Sequence, residues 1–331
     1  EIMSCYNLAE ISRKKGFDPE DKVDIPLARG ISQRVEGLIS AVSPQILKSG
    51  VAERIEELEK EYGSLDWRVA LRIAEEVAKQ KFCKFSDERE AMEVAIRVGL
   101  AYITLGVIAA PLEGFIELKI KKTKTGENYL SAFFAGPIRA AGGTAAAVTA
   151  LIADYVRKAM GYAKYDPQDN EIKRTIAEIQ NYHERVTNLQ YFPSEQEIEF
   201  LVKHLPIEIN GDPTEEMEVS NYKDIQRVET NRIRGGMCLV IAEGIAQKSP
   251  KMYKQIEKWG KDMGLEWAWL KEFLDLQKII KAKGKGKDNK QKPKISPNFT
   301  YIKDLVAGRP VLSYPLTIGG FRLRYGRTRT S

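Results

Sequence analysis

Through the first hundred residues the apolar positions recur at helical spacing and predict helices over 2–15, 28–41, 44–61, 65–81 and 86–105. Turn signals separate them at Gly16, Asp24-Ile25-Pro26, Ser43-Pro44 and Gly63-Ser64. Ser43 followed by Pro44 is a helix start, a cap with proline in the first turn. Trp67, Ala70, Leu71, Ile73 and Val77 share one apolar face. Short helices with no catalytic constellation among them are expected to serve packing or docking.

At Pro111 the period shortens from about 3.6 to 2. Ile116, Leu118 and Ile120 alternate with Glu117, Lys119 and Lys121, a half-buried strand, and residues 124–128 turn the chain into a second strand at Tyr129–Ala135. That strand breaks at Gly136-Pro137, passes Arg139 and Gly142-Gly143, and opens a helix. Val148, Leu151, Ile152, Tyr155 and Ala159 give it one apolar face, with Thr144 expected to cap it, Arg157 and Lys158 in its last turn and Gly161 to end it. Alanines at 145, 146, 147, 150 and 153 allow another backbone to come close. The glycine turn supports two readings. One is a tight bend with a closely packed helix. The other is an anion seat, in which free N–H groups at the helix start act beside Arg139. The sequence GPIRAAGG matches neither common nucleotide-binding loop.

Further helices are expected over 170–190, 194–204, 237–246, 250–262 and 266–281, and short strands at 207–209 and 217–219 around Gly211-Asp212-Pro213. Trp259, Trp267 and Trp269 lie in amphipathic patterns and should fix helix packing. Arg232, Arg234 and Gly235-Gly236 echo the first arginine-flanked glycine pair, and Gly319-Gly320 before Arg322 and Arg324 is a third. From Ile318 to Ser331 the chain reads as a ribbon with Arg322, Arg324, Arg327 and Arg329 on one side and an apolar back. Such a row matches phosphates, or else pairs with acids of the body.

Charge sharpens this. The net charge is +6, yet residues 281–294 carry seven Lys and one Asp and residues 303–331 one Lys, five Arg and one Asp, which leaves residues 1–280 at −5. A basic end on a mildly acidic body favours a local polyanion contact over a generally coated surface. The lysine- and glycine-rich stretch is expected to be a flexible tether. Cys5, Cys83 and Cys238 are widely spaced and odd in number, which supports neither a zinc knuckle nor a disulfide scaffold and fits a reducing cytoplasm. His183 and His204 have no acid at triad or metal spacing. No apolar run is long enough to span a bilayer, so no membrane partner is expected. An independent phosphate-loop enzyme is disfavoured, since no base, nucleophile or metal cluster accompanies the glycine pairs.

Taken in order, VEGLIS, APLEGF, AGPIRAAGGTA, LPIEINGD, MEVSNYKD, VETNRIRGG, WAWLKEF, GRP and GGFRLRYGRTRTS resemble the N-terminal part of the large subunit of archaeal family D DNA polymerase, from about residue 20 to the end. The resemblance implies a two-subunit replicative enzyme, with polymerisation on the large subunit and a metal-dependent 3′ to 5′ exonuclease on the small one. It implies an α+β chain: a helical region over 1–105 that docks the small subunit, a K-homology-like α+β domain over 106–280, a linker over 281–298 and, over 299–331, the approach to a β-rich polymerase core of double-psi barrels. The catalytic aspartates of that family sit in an Asn-Ala-Asp-Phe-Asp-Gly-Asp-like motif that these 331 residues lack, so no catalytic residue is expected here. The chain is accordingly expected to be an N-terminal fragment or the product of a divided gene. Mg2+ is expected for the holoenzyme and no cofactor for this segment. The resemblance further implies primer-template DNA as a partner, a sliding clamp reached through regions outside the chain, and a nucleoid-associated location. Arg139, Gly142, Gly143, Arg232, Arg234, Arg322, Arg324, Arg327 and Arg329 then become candidate phosphate contacts. The alternative is a protein-interaction scaffold that does not touch DNA.

Overall fold

A computed structural model describes residues 2–17, 28, 30–105, 110–213 and 215–285. Residues up to Leu276 make one compact unit, and a second begins at Gln277. The arginines at 322, 324, 327 and 329, the pair Gly319-Gly320 and most of the lysine-rich tether lie outside the described residues.

Five helices come first: α1 (Ile2–Lys14), α2 (Ile31–Ser40), α3 (Val51–Tyr62), α4 (Trp67–Ala78) and α5 (Glu88–Ile103). Asp66 and Asp87 cap α4 and α5, each accepting a backbone N–H from the first turn. The helix expected over 44–61 is instead a 3-10 turn at Pro44–Ile46 followed by α3. Left-handed backbone at Lys48 and Gly50 breaks the run, and no apolar periodicity reveals such a break.

The strands β1 (Phe115–Lys122), β2 (Asn128–Phe134) and β3 (Glu208–Gly211) form one sheet in that order, β1 antiparallel and β3 parallel to β2. Leu118 pairs with Ala132 and Ile120 with Leu130 across the hairpin. Helix α5 covers the outer edge of β1, whose backbone groups would otherwise lack partners. Glu93 accepts the Leu118 N–H at 3.1 Å, and Arg97 donates to the Phe115 carbonyl at 2.7 Å. The strand expected at 217–219 is not a strand but a single bridge, Glu218 to Arg232.

Between and after the strands run α6 (Gly142–Ala159), α7 (Asp169–Asn181), α8 (Glu195–His204), α9 (Gly235–Leu239), α10 (Gln247–Trp259) and α11 (Trp269–Lys285). Ser194 and Glu197 form a reciprocal capping box that starts α8. The helix expected over 170–190 ends as α7 at Asn181 and widens into a π-turn at 182–186. A second π-form stretch, Val240–Ala246, joins α9 to α10 and packs against α6. The core is continuous from α2 through α6 to the sheet and α10, which makes the architecture α+β. Trp267 is fully buried and donates its indole N–H to Asp154 at 2.8 Å, while Trp259 is buried and Trp269 half-buried.

Candidate nucleic-acid interface

The end of β2 leads through a 3-10 turn, Gly136–Ala141, into α6. Gly142 opens that helix with φ at +79°, a backbone that disfavours any side chain, and it is exposed with open space around its Cα. Thr144 lies inside the first turn and does not cap it. The capping position is Ala141, and no side chain accepts from the first-turn N–H groups. The Gly142 N–H already donates to the Arg139 carbonyl, and the other first-turn amides, with the positive end of an 18-residue helix behind them, favour an anion.

Gly143 has a different role. A methyl group placed on it would lie 2.2 Å from the carbonyl oxygen of Glu243 and 2.9 Å from Cε of Lys248. The small residues of α6 thus let the π-form stretch approach, with Gly244 against Ala146 in the same crossing. The Glu243 carboxylate closes the arrangement, accepting from Arg139 at 2.9 Å and from the Gln190 N–H at 2.8 Å. Arg139 remains a little over one third exposed at the mouth of the turn. Glu243 orients one edge of its guanidinium. Glu243 lies 104 residues away in sequence, so nothing local to Arg139 announces the pairing.

The second glycine pair separates from the first. Gly235 and Gly236 are buried, and a methyl on Gly236 would sit 2.1 Å from the carbonyl oxygen of Phe134, so this pair exists for contact with β2. Arg234 is 3% exposed, donates to Glu178 at 2.8 Å and 3.0 Å and to Asn210 at 2.7 Å, and has no donor turned to solvent. Its expected phosphate contact is therefore withdrawn. Burial alone would lower its pKa, and Glu178 outweighs that and raises it. Arg174 shares the same carboxylate at 3.1 Å and also donates to the carbonyls of Tyr222, Thr230 and Arg232. Arg232 itself is exposed, on a strap that these bonds fasten down.

The remaining candidate chemistry is structural. His183 accepts the Leu189 N–H at 3.0 Å and stacks on Phe192, and His204 stacks on Phe200. Burial pushes the Cys238 thiol well up, and Glu178 adds to this, which leaves a poor nucleophile. Among the described residues no three His, Cys, Asp or Glu side chains converge as metal ligands. No helix among them is long and apolar enough to cross a membrane.

Residues 1–276 match the family model described as DNA polymerase II large subunit DP2, N-terminal, and residues 288–331 match its central domain. The DNA polymerase II large subunit of Nanoarchaeum equitans is 51% identical over 99% of the chain, that of Archaeoglobus fulgidus 45% over all of it and that of Pyrococcus horikoshii 41% over all of it. The chain spans only 24–28% of these relatives' own lengths. A family model over residues 1–276 and identities of 41–51% over essentially the whole chain show the family: the chain belongs to the DNA polymerase II large subunit family and corresponds to its N-terminal region.

Proposed function

We propose that this chain positions DNA for a two-subunit polymerase and docks the second subunit, while the bond-making step takes place on polypeptide beyond it. The observation that carries the reading is the uncapped first turn of α6 with Arg139 at its mouth, in a chain of a DNA polymerase family. Amide dipoles and one guanidinium can hold a phosphodiester without supplying acid, base or nucleophile, which is positioning chemistry. Arg232 and, separately, the arginines at 322, 324, 327 and 329 are also proposed to contact phosphates. The partner subunit is proposed to be the 3′ to 5′ exonuclease that the sequence resemblance implies, with Mg2+ supplied by the assembled enzyme. Exposed apolar side chains near the N-terminus, Leu8, Ile11 and Phe17, are suited to being covered by that subunit.

Fluorescence anisotropy with primer-template DNA tests the first part. Binding is expected to be sequence-independent, with log K falling linearly against log salt, and Arg139→Ala is expected to reduce that slope by about 1. An unchanged slope and affinity in Arg139→Ala would remove this turn from the DNA contact. The pairing of Arg139 with Glu243 is the specific observation favouring a scaffold without DNA contact, and retention of the small subunit by a chain that binds no DNA even at low salt would establish that reading instead.

A further inference from the structure

A charged surface runs on from Lys248, beyond the interface already described. Lys248, Lys251, Lys254, Lys258 and Lys261 follow one another along α10 and the turn after it at steps of three, three, four and three residues. Steps of three and four keep side chains on one side of a helix. The opposite side is the buried one, with Ser249, Met252, Ile256 and Trp259 in the core. Four of the lysines are exposed and Lys248 is half-buried.

The plain alternative is an ordinary solvated helix face, and the pairing pattern argues against it. Elsewhere in the described structure three exposed lysines in or at the end of helices pair with a carboxylate four residues earlier, Lys14 with Glu10, Lys79 with Glu75 and Lys203 with Glu199, while unpaired ones such as Lys60 and Lys173 stand singly, not in a row. Among the described residues none of the five lysines of this row has an ion-pair partner. The acids of the same stretch are Glu257, which accepts from Tyr253 at 2.8 Å, and Asp262 in the turn. Unpaired like charges on one face repel one another, which is a cost to folding.

The row also joins the site already described. Lys248 lies against Gly143 at the first turn of α6, and Glu243, which orients Arg139, is five residues earlier on the same helical run. From Lys248 to Lys258 the helix rises about 15 Å, the axial rise of four or five phosphates on one strand. Among these lysines the exposed Pro250 and the half-buried Tyr253, whose hydroxyl donates to Glu257 at 2.8 Å, are the apolar and aromatic side chains, so charge dominates the face. Flexible point charges at regular spacing suit phosphates irrespective of base sequence.

We propose that the lysine face of α10 tracks the phosphodiester backbone of a nucleic-acid strand that reaches the first turn of α6. This rests on the DNA-positioning reading and adds to it a surface, a direction and a ligand class.

The test compares the 331-residue chain with the variant Lys251→Gln, Lys254→Gln, Lys258→Gln in anisotropy titrations of a mixed-sequence duplex from 50 to 200 mM salt. A control variant carries Lys60→Gln, Lys84→Gln and Lys173→Gln, which are exposed and lie on other helices or loops. The proposal expects the first variant to lose about 2 to 3 from the salt slope and at least about tenfold in affinity at 100 mM, with the control unchanged and arginine replacements restoring binding. Circular dichroism melts are expected to show the control unchanged and the α10 variant melting at or slightly above the parent, since its substitutions remove exposed like charges. If the parent binds DNA and the α10 variant keeps its slope and affinity, the proposal fails while the DNA-positioning reading stands. If the control loses as much as the α10 variant, the effect is net charge alone and the proposal also fails. If the parent binds no DNA at low salt, both fail. Preferential, α10-dependent binding of polyglutamate over DNA at equal charge would overturn the nucleic-acid assignment in favour of an acidic protein partner.

Discussion

Alanine substitutions at the first glycine pair separate conformational freedom from close approach. Gly142→Ala meets no atom within 4 Å, so its cost is the positive-φ extended backbone alone, φ 79° and ψ 157°, about 1 to 3 kcal/mol. Gly143→Ala would place its methyl 2.2 Å from a backbone carbonyl, and relief requires α6 and the π-form stretch to separate by about 1 Å. Overpacking of that kind costs about 1 to 3 kcal/mol and more where backbone must move. Helix propensity acts in the other direction, since alanine is favoured over glycine by up to about 1 kcal/mol. The sign for Gly143→Ala therefore decides between the two effects, and the structure expects a net loss of about 2 to 3 kcal/mol. Urea unfolding followed by the fluorescence of the buried Trp259 and Trp267 measures both variants, with unchanged m-values as the check that only stability moved. A Gly143→Ala that is stabilised or unchanged would refute the close crossing. Because the same shift displaces Glu243 from Arg139, Gly143→Ala is also expected to weaken DNA binding more than its stability loss explains.

Other expectations follow from single contacts. Glu178→Ala leaves Arg174 and Arg234 buried without their carboxylate and is expected to cost about 3 to 5 kcal/mol in thermal or urea unfolding; a loss under about 1 kcal/mol would contradict the buried pair. Glu266 is held at a pKa of about 2 by hydrogen bonds and attraction from Lys158 and Lys164, below its ordinary value of 4.5. A depressed carboxyl stabilises the fold above its unfolded pKa and loses that contribution as pH falls towards the folded one. Glu266→Gln should thus lose about 0.5 to 1 kcal/mol at pH 7, a small figure because the pair is about half exposed, and the gap to the parent should close between pH 4.5 and about 2. A gap that persists at pH 2 would rule the ion pairs out as its source. Replacing Leu8, Ile11 and Phe17 by Ser is expected to abolish co-purification with the small subunit while leaving the melting curve in place, and retained co-purification would move the docking surface elsewhere.

The hairpin was legible because a period-2 pattern with a Gly turn has one cheap solution, and α6 because its alanines and its closing Gly161, at φ +78°, are local signals. Local patterns could not separate the two glycine pairs. Gly142-Gly143 and Gly235-Gly236 share the same flanking arginine, and what differs is the partner each meets, Glu243 in one case and Phe134 in the other, about a hundred residues away in sequence. Arg234 was misjudged for the same reason: its carboxylate, Glu178, comes from α7 and is invisible to spacing. The lysine row on α10 was written in the sequence at helical spacing, yet a net −5 over residues 1–280 averages it away. Charge that matters for binding is a property of one face, and only the fold shows which residues share that face.

Hydrogen–deuterium exchange of this chain with and without primer-template DNA examines the central claim most directly. The account predicts that DNA slows exchange in the first turn of α6, residues 142–145, and along α10 from Gln247 to Trp259, with the buried pair at 235–236 unaffected. Slowed exchange confined to other surfaces, with α6 and α10 exchanging as in the free chain, would contradict it.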